Sequence, residues 1–115
     1  MRSDLDQGRE SPPHHTVLQE PWTYALVGLS FRCNPASQSA SILELTLQRA
    51  GETVHLRFLG VHGLEITDDF PWRTGGLQIL DITARGMEQA RVQVCSFEQE
   101  QPIRFWARDV ERVGA

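Results

Sequence analysis

The sequence predicts an all-β protein: a single antiparallel sandwich or partly open barrel of about seven short strands, with at most one short helical turn. Three observations carry that expectation. From Trp22 onward, apolar and polar residues alternate at period two through segment after segment. These segments recur at near-regular spacing, separated by the turn formers NPASQSA, AGE, DDFPWRTG and EQEQP. No helical pattern is long enough to cross between parallel strands, so the pairing is antiparallel.

Residues 1–20 precede the pattern and contain SPPHHT among many charged positions. Such a segment has too little apolar surface to offset its ordering entropy, which predicts a disordered N-terminal tail and a single β domain over 21–115. The adjacent His14 and His15 have no further ligand at fixed spacing, so no metal site is assigned to them. The first strand is WTYALVGLSFRC at 22–33 and the second is SILELTLQR at 41–49. In the second, Leu43, Leu45 and Leu47 share one face while Glu44, Thr46 and Gln48 share the other. AGE at 50–52 suits a short hairpin into TVHLRFLG at 53–60, which turns Val54, Leu56 and Phe58 inward and His55 and Arg57 outward.

VHGLEIT at 61–67 follows directly, with His62 placed at a bend. In GLQILDIT at 76–83, Leu77, Ile79, Leu80 and Ile82 occupy both faces, the pattern of a central strand covered on two sides. RGMEQ at 85–89 is the one helical turn, kept short by Gly86. ARVQVCSF at 90–97 buries Val92 and Val94. PIRFWARDV at 102–110 buries Ile103, Phe105 and Ala107 and leaves Arg104, Trp106 and Arg108 outside.

At 115 residues the chain can close one core without staples. Its net charge of −4 disfavours non-specific binding to nucleic acid or anionic membrane. All eleven basic residues are arginine, so every cationic side chain is a planar fork. The N-terminus has no apolar signal region, and no apolar run approaches a membrane span. Cys33 and Cys95 form no CxxC and are read as free, half-buried thiols, so a cytoplasmic location is expected.

The stretch ITDDFPWRTGG at 66–76 gathers two acids, two aromatics and an arginine in one loop. Consecutive aspartates on an extended chain point apart, which argues against Asp68 and Asp69 sharing a metal with His62. The glycines follow the arginine and open no helix, so the loop is not a phosphate cradle. Turn chemistry accounts for the stretch: Asp68 accepts backbone amides, Pro71 fixes φ, and Gly75 and Gly76 relieve strain. No serine lies in a nucleophile elbow, and neither cysteine has a histidine and acid at suggestive spacing. The expectation is a non-enzyme without cofactor or metal.

A tryptophan between two arginines on an outward face is the most informative local pattern. The arginine stems can pack along the indole as a self-sufficient cation–π sandwich. Alternatively the strand is a contact surface, since Trp and Arg are enriched at binding hot spots. Arg57, Arg104, Trp106 and Arg108 are therefore the candidate partner-binding residues, with Arg91 extending the patch if it shares that face. Such a patch suits an acidic protein surface, or a second copy of the chain, better than a nucleic-acid strand.

VHLRFLGVHGLEI at 54–66, GLQILDI at 76–82 and IRFWARDVE at 103–111 resemble small bacterial all-β proteins, some of which look like immunity proteins encoded beside polymorphic toxins. The resemblance rests on Phe58, Gly60, Val61, Leu64, Ile66 and Asp109, and covers about residues 43–111. It implies a protein-binding module, most concretely an immunity-type inhibitor that occupies the surface of a toxin. The competing expectation is a small-molecule-binding or enzymatic β-barrel with the 67–76 loop at its mouth.

Overall fold

The computed structural model describes residues 12–67, 76–96 and 103–113. It contains two four-stranded antiparallel sheets packed face to face. The first has the order β1-β2-β3-β8, formed by Ala25–Asn34, Ser37–Arg49, Glu52–Leu59 and Asp109–Val113. The second has the order β4-β7-β6-β5, formed by His62–Ile66, Ile103–Ala107, Val92–Ser96 and Leu77–Asp81.

The turns follow from local chemistry. β1 and β2 are joined through Pro35 and Ala36, and the Asn34 side chain accepts the Ala36 N–H at 2.9 Å. β2 and β3 are joined through Ala50 and Gly51, whose φ values of 46° and 87° are both left-handed. Two positive φ values in a two-residue loop match the strand twist, at the cost of strain on the alanine.

The alternation holds where it was strongest. Leu43, Leu45, Leu47, Val54, Leu56, Phe58, Val92, Val94, Ile103, Phe105 and Ala107 all lie in one core. At its centre Phe58 and Phe105 meet edge to face, with centroids 4.9 Å apart. That arrangement contributes about 0.5–1.5 kcal/mol beyond the burial of the two rings.

The two sheets share a corner. β3 passes into β4 through Gly60 and Val61, and β7 passes into β8 through Arg108. Arg108 N–H donates to Leu59 O at 2.9 Å, and Gly60 N–H donates to Ser41 O at 2.9 Å. The buried Ser41 hydroxyl donates to Val61 O at 2.8 Å. Gly60 has φ +65°, and a Cβ there would sit 3.0 Å from Arg108 Cβ. Only glycine lets the two strands turn together at that distance.

Several expectations are corrected. The segment 102–110 is not one strand, because the corner at Arg108 ends β7 and starts β8; the described residues thus form eight strands, close to the expected seven. GLQILDIT is an edge strand, not a central one. Its outer residues Leu80 and Ile82 are buried in a second small cluster with Ala90 and Cys95, against which Trp106 packs. Among the described residues 3₁₀ turns form at Pro21–Thr23 and Thr83–Arg85, the second just ahead of the helical turn expected over 85–89. Gly86 caps the second in the left-handed region and so terminates the turn. Cys33 is exposed and Cys95 is buried; both are free.

Within the segment expected to be a disordered tail over residues 1–20, the described part is ordered against the domain. Residues 12–20 dock on the domain: His15 N–H donates to Ile79 O, Asp81 N–H donates to Pro13 O, and His14 bridges to Leu80. Leu18 enters the main core at 4% exposure, and Val17 packs against it. An unpaired edge at β5 and one well-placed leucine supply the docking that composition did not reveal. Residues 1–11 lie outside the described residues.

Candidate functional site

β7 lies inside the second sheet, between β4 and β6. With Ile103, Phe105 and Ala107 held in the core, Arg104 and Trp106 are presented on the outer face. Strand register places Trp106 in a transverse row with His62 on one side and Gln93, then Leu80, on the other.

The indole is held from several directions. The His62 ring lies nearly parallel to it, at 20°, with centroids 6.4 Å apart. His62 Nδ1 is 3.2 Å from Gly60 O and donates to it, which orients the imidazole. Gly63 interrupts the β4–β7 register at a bulge with φ +66°. A Cβ at Gly63 would stand 2.7 and 2.8 Å from indole carbons Cε3 and Cζ3, so the ring rests directly on the glycine backbone. Trp106 also packs against the cluster of Leu80, Ile82, Ala90 and Cys95. Burial pushes the Cys95 thiol pKa up, and its Sγ donates to Gln78 Oε1 at 3.7 Å. The result is a partly exposed tryptophan in a fixed orientation on a rigid sheet.

Charged groups surround it. Arg104 Nε donates to Glu65 Oε1 at 2.7 Å, with both side chains substantially exposed. Arg108 stands at the corner against Gly60, and among the described residues no carboxylate pairs with it. Exposed Arg91 donates its N–H to Ala107 O at 2.9 Å, which brings it beside that corner.

Arg57 is not part of this surface. It projects from β3 on the outer face of the first sheet, where Nε donates to Glu44 Oε2 and an Nη to Glu111 Oε2, each at 3.1 Å. These two carboxylates, Glu44 foremost, raise the guanidinium pKa and occupy its donors. Of the four candidate residues, the fold thus gathers Arg104, Trp106 and Arg108 and separates Arg57. Arg104 turns to Glu65, and among the described residues the arginine stacked over an aromatic ring is Arg49, 4.3 Å over Tyr24.

His62, Glu65 and Gly63 complete the site; from sequence His62 is read only as a bend residue, and Glu65 and Gly63 are not singled out. Gly63 inside an alternating strand was the available signal, since a strand glycine marks a bulge or a close approach.

A second polar cluster lies where β2, β3 and β8 meet residues 16–24. Tyr24 Oη donates to Glu52 Oε2 at 3.0 Å, and Arg49 donates to Glu52 Oε1 at 3.1 Å and to Thr23 Oγ1 at 2.8 Å. The Tyr24 hydrogen bond, then Arg49, holds the Glu52 carboxyl below its ordinary range, while burial and then Glu52 raise the Tyr24 phenol. These groups satisfy one another and tie the ends of the sheet together. Among the described residues no group of three potential metal ligands converges, and no helix is long and apolar enough to cross a membrane. The 68–75 loop, including Asp68, Asp69 and Arg73, lies outside the described residues. No protein-family model, curated protein or solved structure matches the chain.

Proposed function

We propose that this chain is a non-catalytic protein-binding module whose contact surface is the outer face of the second sheet. In its most concrete form it is an immunity-type inhibitor that blocks a bacterial toxin by occupying its surface. The observation that carries the proposal is Trp106: a tryptophan on an internal strand, held by Gly63, His62 and the Leu80 cluster, with part of its surface left open. An indole already fixed loses little side-chain entropy on binding, and aromatic anchors of this kind dominate interface energetics. Arg104, Arg108 and Arg91 around it provide forked donors for carboxylates, which favours an acidic partner surface. Arg104 would exchange or share its Glu65 contact with a partner carboxylate.

The test is affinity capture from the native host with the wild-type chain and with Trp106→Ala/Arg108→Glu, each checked for a folded far-UV spectrum. The wild type should retain a protein that the variant recovers at a tenth of that level or less. That protein, expressed alone, should be toxic, and co-expression of this chain should relieve the toxicity. Equal recovery by a folded variant would remove the proposed surface. A retained partner without toxicity would leave a binding module but remove the immunity role.

A further inference from the structure

Residues 12–19 form an arm whose attachment to the domain is strained at one point, and we propose that two copies of the chain exchange these arms to form a dimer. The strain is at Glu20, which has φ 49° and ψ 54°. The left-handed region is unfavourable for any residue with a Cβ, and it is worse immediately before a proline, whose ring favours extended backbone in its predecessor. Glu20 is followed by Pro21. In the closed arrangement the arm reaches the edge of its own β5 through this disfavoured conformation.

Extending Glu20 relieves that strain and swings the arm away from its own domain. The hydrogen bonds around the hinge survive the motion. Thr23 N–H donates to Glu20 O at 3.0 Å, and Thr23 Oγ1–H to the same oxygen at 2.7 Å. That carbonyl belongs to the Glu20–Pro21 peptide plane, so rotation about Glu20 φ and ψ leaves it with the domain.

Apart from Leu18 and Val17, which pack in the core, the arm is held along one side and flanked by hollows. Its backbone pairs with one edge only, through His15 N–H to Ile79 O and Asp81 N–H to Pro13 O, both at 2.8 Å. One hollow of about 420 Å³ lies along the arm, lined by His14, His15, Leu18 and Trp22 among others. Another of about 270 Å³ separates the stretch from Thr16 to Glu20 from Tyr24, Arg49 and Arg112. Withdrawal of the arm would uncover the β5 edge and the Leu18 site. The occupant that fits both is the same arm from a second copy, because each contact it makes in its own chain can be remade across the pair. Strained short hinges favour such exchange.

The experiment measures the full chain by sedimentation and light scattering over a wide concentration range. The wild type should show a concentration-dependent dimer. Glu20→Gly, which accepts the closed conformation without strain, should weaken dimerisation by about tenfold or more. A trans-crosslinking arm reports arm position directly. One copy carrying His14→Cys and another carrying Leu80→Cys, both in a Cys33→Ser/Cys95→Ala background, are mixed at high concentration and oxidised. A covalent heterodimer that forms with this pair, but not when His14→Cys is replaced by Thr83→Cys, supports exchange. A chain that stays monomeric throughout overturns it. So does a dimer indifferent to Glu20→Gly that yields no heterodimer, since it would associate through another face.

Discussion

Gly63→Ala tests whether the indole of Trp106 is seated as described. The substitution meets two separate penalties. The backbone at φ +66° costs an alanine roughly 1 kcal/mol relative to glycine. The new methyl would stand 2.7 and 2.8 Å from two indole carbons, closer than packed side chains allow. The ring cannot simply retreat, because Leu80, Ile82, Ala90 and Cys95 pack against it. Forcing it to shift costs about 1–3 kcal/mol, as for other overpacked sites. The expected loss is therefore about 2–4 kcal/mol, measured by urea unfolding followed by far-UV circular dichroism. Gly86→Ala isolates the backbone part: Gly86 has φ +78°, and nothing lies within 4 Å of a Cβ built there. It should lose only about 1 kcal/mol. Equal losses in the two variants would mean that the indole does not rest on Gly63, and the geometry of the site would be wrong.

Other expectations follow from the fold. Ala50→Asn should stabilise the protein by about 0.5–1 kcal/mol in the same unfolding assay, because asparagine tolerates the left-handed first position of the Ala50–Gly51 turn. Phe58→Ala removes a fully buried ring in edge-to-face contact with Phe105 and should cost about 3–5 kcal/mol, a large share of an ordinary native margin, read as a lower urea midpoint. Acid should destabilise the fold through Glu52 and Asp81. Glu52 is depressed chiefly by the Tyr24 hydroxyl and Arg49, and Asp81 by the Thr83 hydroxyl and N–H. A carboxyl with a depressed folded pKa stabilises above its unfolded pKa, and that stabilisation is lost as pH falls through the folded value. Stability measured against pH should decline below the ordinary carboxylate range, about pH 4, and Glu52→Gln/Asp81→Asn should flatten that decline.

Alternation revealed the all-β class and the inward faces because a one-residue slip would expose each leucine or valine set, as in Leu43, Leu45 and Leu47. It also placed Trp106 outward correctly. Tertiary events with no local signature were not legible. The corner at Arg108 falls in WARDV, which contains no breaker; the glycine that permits it, Gly60, is on the neighbouring strand. Leu80 and Ile82 looked like the second face of a central strand, whereas they pack with Ala90, Cys95 and Trp106 on an edge strand. Arg57 and Arg104 both alternate outward, yet period two cannot say to which sheet a strand belongs, and the two arginines lie on opposite faces of the sandwich. Docking of residues 13–18 depended on a vacant edge that only the assembled sheet provides.

Calorimetric affinity of the captured partner for two single variants separates those faces most directly. Arg104→Ala and Arg57→Ala each remove one exposed, ion-paired guanidinium, so neither should disturb the core. If the outer face of the second sheet is the contact surface, Arg104→Ala weakens binding by about tenfold, about 1.4 kcal/mol, while Arg57→Ala binds as the wild type does. Wild-type affinity for Arg104→Ala together with a tenfold loss for Arg57→Ala would contradict the account and move the interface to the first sheet.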